Sequence, residues 1–366
     1  MVVTLPRSED VSWTTRAVID GDIHPALPSP KALDPYLSER WRAHRHQLSG
    51  FSYSGATYPR ANPNAARVDS WPPNGQPPGS DLNFMREQLL DEWDIEVGVL
   101  QPLLGAGAQR NLEYGAAMSH AINDWLVAEW LEPEPRLRAS LVIPYEDGDL
   151  SAAEIDRVGD LPGFVQIMMV IRTSEPLGRR KYWKIYDAAV RHDLPIGIHF
   201  GGAGGGPITG TGWPSFYIED HAGMSTAFQS QVVSLICEGV FEQFPTLKVI
   251  LVEGGFAWLG PLAWRLDSAW RKLKSEVPHL ERLPSEYIRE HFWLTTQPME
   301  EPHRPEYFAQ LLEQFPPLAD RLMFATDYPH WDFDAPDSAL PRVRLPQGTH
   351  QKIMSENARA LYRLQA

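Results

Sequence analysis

The feature that most narrows the possible folds is a set of eight short apolar runs, near residues 18, 97, 139, 164, 195, 249, 292 and 322. Helix-compatible stretches separate them, among them Leu82 to Trp93, Asn111 to Leu131, Ala152 to Val158, Arg179 to His192, Ser225 to Phe244, Ala257 to Leu273, Pro305 to Gln314 and His350 to Leu364. Short apolar runs alternating with helical patterns build parallel sheets. Eight such units in one chain favour an α/β fold of the closed (β/α)8 TIM-barrel type over an open doubly wound sheet. No break in composition divides the chain, so residues 1–366 are expected to form a single domain. Two stretches rich in proline and glycine, 44–80 and 201–224, are expected as long loop insertions over the active site. Structureless loops of that length are usually functional or disordered. The tyrosines and tryptophans in the first of them favour an ordered flap.

Composition removes several classes of partner. The net charge of -14 argues against nucleic acid and anionic membrane. Cys237 is the only cysteine, which rules out an intramolecular disulfide and thiolate metal sites. No run of about 18 apolar residues suggests a transmembrane helix, and the first residues lack the order of a secretory signal. A cytoplasmic protein acting on a small molecule is the expectation. Trp258, Trp264 and Trp270 near one helix could seed a homodimer, though packing against the barrel accounts for them equally.

In a barrel of this type the C-terminal strand ends line the site. Those ends carry a selective set of side chains: Asp22 and His24 after the first run, Arg172 after the fourth, His199 at the fifth, Glu253 at the sixth, Gln297 at the seventh and Asp327 at the eighth. Asp22 and His24 stand two apart, the spacing that places side chains on one face of a strand. The loop GGAGGGPITGTGWP has no G-K-[ST] element and is read as an active-site loop rather than a phosphate cradle.

The pieces IDGDIHP, PIGIHFGG, FEQFPTLKVILVEGGFAWLGPLAWRLD, FWLTTQP and MFATDYPHWDFD, spread over nearly the whole chain, resemble the amidohydrolase-related enzymes of the aminocarboxymuconate-semialdehyde decarboxylase-like branch of the amidohydrolase superfamily. The resemblance implies one divalent metal ion held by Asp22, His24, His199 and Asp327. Two imidazoles and two carboxylates suit Zn²⁺ first, with Mn²⁺ or Fe²⁺ also compatible. The fourth run, FVQIMMVI, offers no lysine to bridge a second ion. Glu253 stands where many relatives have a histidine.

The expected catalytic groups are Asp327, as base toward a metal-bound water, with Glu253, His221 and His330. Arg172, Arg60, Arg67, Trp213 and Tyr217 are candidate substrate contacts, and the aromatic ones suggest a flat, fairly apolar molecule. Because of Glu253 the first reading is hydrolysis of an amide, ester or lactone. The alternative is metal-dependent, non-oxidative decarboxylation of a small aromatic or unsaturated acid. A metal-free binding barrel is the third reading.

Overall fold

The computed structural model describes residues 17–48, 63–202 and 206–365. Eight parallel strands run in sequence order around the molecule: β1 (Val18–Ile23), β2 (Ile95–Leu100), β3 (Leu137–Val142), β4 (Phe164–Val170), β5 (Ile196–His199), β6 (Val249–Val252), β7 (Phe292–Thr295) and β8 (Leu322–Met323). Each coincides with one of the eight apolar runs. The strands are buried on both faces, as parallel strands covered by helices are. Outside them pack Leu112–Leu126, Gly148–Val158, Trp183–Arg191, Ser225–Cys237, Leu259–Leu273 and Glu306–Gln314. Among the described residues no helix is long and apolar enough to cross a membrane.

The barrel closes through backbone beyond the short β8. Gly21 N donates to Phe324 O at 2.9 Å, Asp327 N to Asp22 O at 3.1 Å, and His24 N to Tyr328 O at 2.7 Å. Asp20 fastens the same seam. Its carboxylate accepts from Thr326 N (2.9 Å), Thr326 Oγ1 (2.6 Å) and Asp22 N (3.1 Å).

The interior is layered. Ile19, Val97, Val99, Ile250, Val252, Trp293 and Met323 pack with Ala358, Leu361 and Tyr362 of the last helix. A chain of hydrogen bonds then crosses the barrel. Tyr362 Oη donates to Gln166 Oε1 (2.7 Å), Gln166 Nε2 to Ser140 Oγ (2.7 Å), Ser140 Oγ to Gln101 Oε1 (2.6 Å) and Gln101 Nε2 to Gly21 O (3.2 Å). Gln166, Ser140 and Gln101 are fully buried and Tyr362 nearly so, and each is satisfied by the next. Gly197 makes room for the chain: a Cβ there would lie 2.6 Å from Gln166 Nε2.

Two helices were absent from the sequence reading. Pro284–His291 begins on a proline, with Glu286 Oε2 reaching back to accept from Leu283 N at 3.0 Å. Tyr217–Gly223 lies inside the expected 201–224 loop, and Glu219 Oε1 accepts from Phe216 N at 2.9 Å. In both, an acidic side chain three residues into the helix satisfies a backbone donor that the helix start leaves open. The 44–80 insertion also begins later than expected, because a helix runs over Glu39–Leu48. Tyr53, Tyr58 and Arg60 lie outside the described residues. The second half of the insertion is fastened to the loop after β8: Trp331 N donates to Ala65 O at 2.8 Å and Arg67 N to Pro329 O at 3.0 Å.

At the opposite end from that loop, Glu134 locks the entry to β3. It is only 4% exposed. It accepts from Arg136 Nε (2.9 Å), Arg136 Nη2 (3.0 Å), Arg136 N (3.1 Å) and Arg86 Nε (2.8 Å). Hydrogen bonds from Arg136, opposed by burial and supported by Arg86, hold its carboxyl down at about 2. A carboxyl lowered by folding stabilises the native state above its unfolded value and loses that contribution as the pH falls through the folded one. Stability should therefore decline between about pH 4.5 and pH 2. Glu134→Gln should lower it by about 1–3 kcal/mol at pH 7, with the gap closing toward pH 2. Urea melts of both proteins across that range check this; a constant gap would show that the pair does not titrate with folding.

Candidate metal centre and active site

At the C-terminal face of the barrel, Asp22 is the next-to-last residue of β1 with His24 just past the strand, and His199 ends β5. In the β5–β6 register His199 stands opposite Val252, so Glu253 follows directly beside it. Pairing of β1 with β2 is irregular between Asp20 and Ile23. Even so, Asp22 Oδ1 comes within 3.2 Å of His24 Nε2, and His199 Nε2 lies 3.3 Å from both Asp22 oxygens. Asp22, His24, His199 and Glu253 each bring one donor atom within 4.8 Å of the others, and all four are buried. Asp327 joins from the seam, with Oδ1 2.8 Å from His24 Nε2 and 2.7 Å from His330 Nδ1. The His24 and His330 rings stack at 4.3 Å.

This donor set fits a divalent cation. His24 Nδ1 donates to Gln101 O at 2.9 Å, and His199 Nδ1 to Phe200 O at 2.7 Å. Because a carbonyl only accepts, each ring holds a proton on Nδ1, which leaves Nε2, aimed at Asp22, as the nitrogen a cation would take. That is how outer hydrogen bonds prepare metal-ligating histidines. Ligands about 2.1 Å from an ion sit roughly 3.0–3.4 Å apart for octahedral to tetrahedral angles. The separations of 2.8 to 3.3 Å found here match that spacing.

The electrostatics agree. Burial alone would lower His199, but the Asp22 carboxylate and then Glu253 raise it to about 9. Burial, with Asp327 and Asp22 adding and His199 opposing, pushes the Glu253 carboxyl well above its usual range. Burial also works to raise Asp327, yet His330 and His24 hold it well below. The carboxylate field that draws a proton onto His199 equally draws a cation, whose binding releases that proton. Glu253 and Asp327 both adopt left-handed backbone, with φ of 59° and 61°. Such non-glycine conformations cost about 1–3 kcal/mol and cluster at active sites; here they direct both carboxylates to the strand-end cluster.

The cluster opens into a cavity of about 310 Å³ lined by Asn64, Leu103, Phe200, Tyr217, Trp331 and neighbouring residues. Of the residues expected at the site, Glu253, His330, Arg172 and Tyr217 line this cavity. Arg172 Nη2 donates to Asp220 Oδ1 at 2.5 Å and its guanidinium lies 4.9 Å from the Phe200 ring centre. His221 packs on Tyr217 and Trp331 and contacts Asp332 Oδ2 through Nε2 at 2.9 Å. Trp213 is placed elsewhere: a tight turn from Thr209 to Gly212 precedes it, and it is 60% exposed. Arg67 is also engaged elsewhere. Asp69, two residues on, captures its fork at 2.9 and 2.6 Å, and Phe333 lies under it. Arg60 lies outside the described residues.

The sequence reading missed Asp332, Asp220 and Asp20. Asp332 sits within the PHWDFD stretch already noted for Asp327. Gln297 Nε2 ties it in, donating to Asp332 Oδ2 (2.8 Å) and to Asp327 Oδ2 (3.2 Å).

A parallel eight-stranded barrel with imidazoles and carboxylates converging at its C-terminal face defines the class: a (β/α)8 protein with a cation-ready centre. The chain belongs to the amidohydrolase family, whose family model matches residues 19–364. Gamma-resorcylate decarboxylase of Polaromonas sp. (strain JS666) is 25% identical over 303 residues, covering 78% of this chain and 88% of the relative. An amidohydrolase from Mycobacterium avium subsp. paratuberculosis K-10 superposes with a TM-score of 0.70 at 20% identity, covering 95% of this chain and 100% of that one. A dihydroxybenzoic acid decarboxylase from Polaromonas sp. JS666, with bound manganese and the inhibitor 2-nitroresorcinol, gives a TM-score of 0.67 at 21% identity, covering 96% and 98%. At those identities the structural likeness speaks for the fold.

Dialysis against a chelator should strip the protein of its divalent cation, and Mn²⁺ should restore it. His199→Ala should weaken Mn²⁺ binding by at least about 10–100-fold, the range seen for loss of supporting groups around a metal. Elemental analysis after equilibrium dialysis gives the answer, and undiminished binding would remove His199 from the centre.

Proposed function

We propose that this chain is a metal-dependent decarboxylase of a small aromatic carboxylic acid. The carrying observation is the buried imidazole–carboxylate cluster opening directly into a small cavity walled by Phe200, Tyr217 and Trp331. The gamma-resorcylate decarboxylase relative supports decarboxylation over hydrolysis, reversing the order that Glu253 suggested from sequence. The manganese in the related barrel likewise favours Mn²⁺ over the Zn²⁺ first expected.

Asp22, His24, His199 and Asp327 would hold the cation, with Glu253 beside them. Its positive charge would bind the substrate carboxylate and a neighbouring oxygen and offset negative charge appearing on the ring. The apolar walls position the ring and exclude water. Arg172, fixed by Asp220, sets the wall on the β4 side. His330 lines the cavity and pairs through Nδ1 with Asp327, so Asp327 stabilises its protonated form. In the reaction the bond from ring carbon to carboxyl breaks, its electron pair stays on the ring carbon, His330 delivers a proton there, and CO2 leaves.

When hydroxybenzoates, with their esters and lactones alongside, are incubated with Mn²⁺-loaded enzyme in labelled water, the free acids should release CO2 and yield the ring product without oxygen from that water. Incorporation of that oxygen into a cleaved ester or lactone, with no CO2, would assign hydrolysis instead. His330→Asn should reduce kcat by about 10²–10⁴-fold, the usual share of a general acid, while bound metal stays at the wild-type level. Full activity in that variant would take the proton-donor role from His330.

A further inference from the structure

The strand-end cluster leaves one group of donors without a role. One ring nitrogen of His221, a Glu253 oxygen and an Asp332 oxygen lie within 4.8 Å of one another, where Glu253 meets the helix Tyr217–Gly223 and the loop after β8. Glu253 belongs both to this group and to the one formed with Asp22, His24 and His199.

Glu253 is only 5% exposed, and no donor among the described residues hydrogen-bonds to its carboxylate. Its near cationic neighbour, His199 Nδ1 at 3.5 Å, already donates to Phe200 O. A buried carboxyl group without a donor can be held as a carboxylate only where a positive group meets it. The surroundings compound the need: Asp22, Asp327, Glu253 and Asp332 gather four carboxyl groups about the strand-end cluster, and with all four ionised a single divalent ion and the cationic His330 would offset three of the four charges. An anionic substrate would enter that same space.

We propose that His221, Glu253 and Asp332 form a second divalent-cation site, with Glu253 as the carboxylate shared between the two ions. The inference rests on the reading of Asp22, His24 and His199 as the first. The 2.9 Å between His221 Nε2 and Asp332 Oδ2 is the separation of adjacent ligands about 2.1 Å from an ion at right angles. Gln297 braces both sites with one amide nitrogen, donating to Asp332 on one side and Asp327 on the other, the kind of outer bond that orients metal-binding carboxylates. One imidazole and two carboxylates make a harder donor set than two imidazoles, suited to Mn²⁺. The second ion would sit at the junction of the helix Tyr217–Gly223 with the β8 loop. Binding there would fasten those two walls of the cavity together, as the His221–Asp332 contact already begins to do.

The test titrates the full-length apo protein with Mn²⁺, counting bound ions by elemental analysis and recording electron paramagnetic resonance. Two ions per chain are expected, the second weaker, with a spectrum showing exchange coupling through the shared carboxylate. Asp332→Asn and His221→Ala should each weaken the second ion by about 10-fold or more and return the six-line spectrum of an isolated ion, while the first stays bound. Saturation of the wild type at one ion, two ions without coupling, or two ions retained in both variants would each overturn the proposal. The wild-type titration decides the matter even if a variant does not fold. CO2 release is scored separately, so a doubly loaded protein that fails to decarboxylate defeats the functional reading and leaves this one standing.

Discussion

The structure depends on the seam where β1 meets the chain beyond β8. Strand pairing there is short, since β8 has only two residues in regular pairing, and the work of closure falls to individual bonds. Asp20 takes three of them, two from Thr326. The backbone bonds Asp327 N to Asp22 O and His24 N to Tyr328 O then align the two segments that carry the cluster. A one-residue slip along a strand turns its side chains to the other face. At this seam a slip would part Asp22 and His24 from Asp327 and scatter the imidazole–carboxylate cluster along with the barrel closure. Burial raises Asp20 to about 7 against the lowering effect of its bonds from Thr326. The seam and the site therefore share one charge-laden neighbourhood.

Stability and chemistry occupy opposite ends of the molecule. The aliphatic layer, the last helix and the hydrogen-bonded line from Tyr362 to Gln101 fill the lower barrel. That line ends where the cluster begins, because the carbonyl of Gln101 fixes the His24 ring. A fully satisfied buried network rigidifies its surroundings, and here it sets the tautomer of His24, one of the clustered donors. The strained backbone at Glu253 and Asp327 is confined to the upper rim. Close packing below holds those conformations in place.

Much of this was readable in the residues, for reasons that also explain what was not. Buried parallel strands leave continuous apolar runs, so all eight stood out. Asp22, His24, His199, Glu253 and Asp327 could be found because a strand end is a position that sequence order reveals. Pro284–His291 and Tyr217–Gly223 escaped because each has eight residues or fewer and stands on a local cap by Glu286 or Glu219, not on a long apolar stripe. Asp332 and Asp220 escaped for a different reason: their partners are His221, Gln297 and Arg172, far away in sequence. Arg67 and Trp213 were candidates by residue type alone. Their placement was decided by neighbours one to four positions away, Asp69 in one case and the Thr209–Gly212 turn in the other.

Glu253 is where these threads meet. A histidine at that strand end can be neutral or positive, and it can donate. A glutamate can do neither unless protonated, and the pocket around it is already rich in carboxylates. Anything entering the cavity must therefore bring positive charge, bring a proton, or arrive with a cation beside it. The positive φ of Glu253 points the same way, since a merely structural glutamate could sit in relaxed backbone and pair with an arginine. Arg172, the arginine on the same cavity wall, bonds to Asp220 instead. A glutamate at this strand end sets what the upper barrel demands of its ligands, while the packing of the lower barrel holds the fold independently of it.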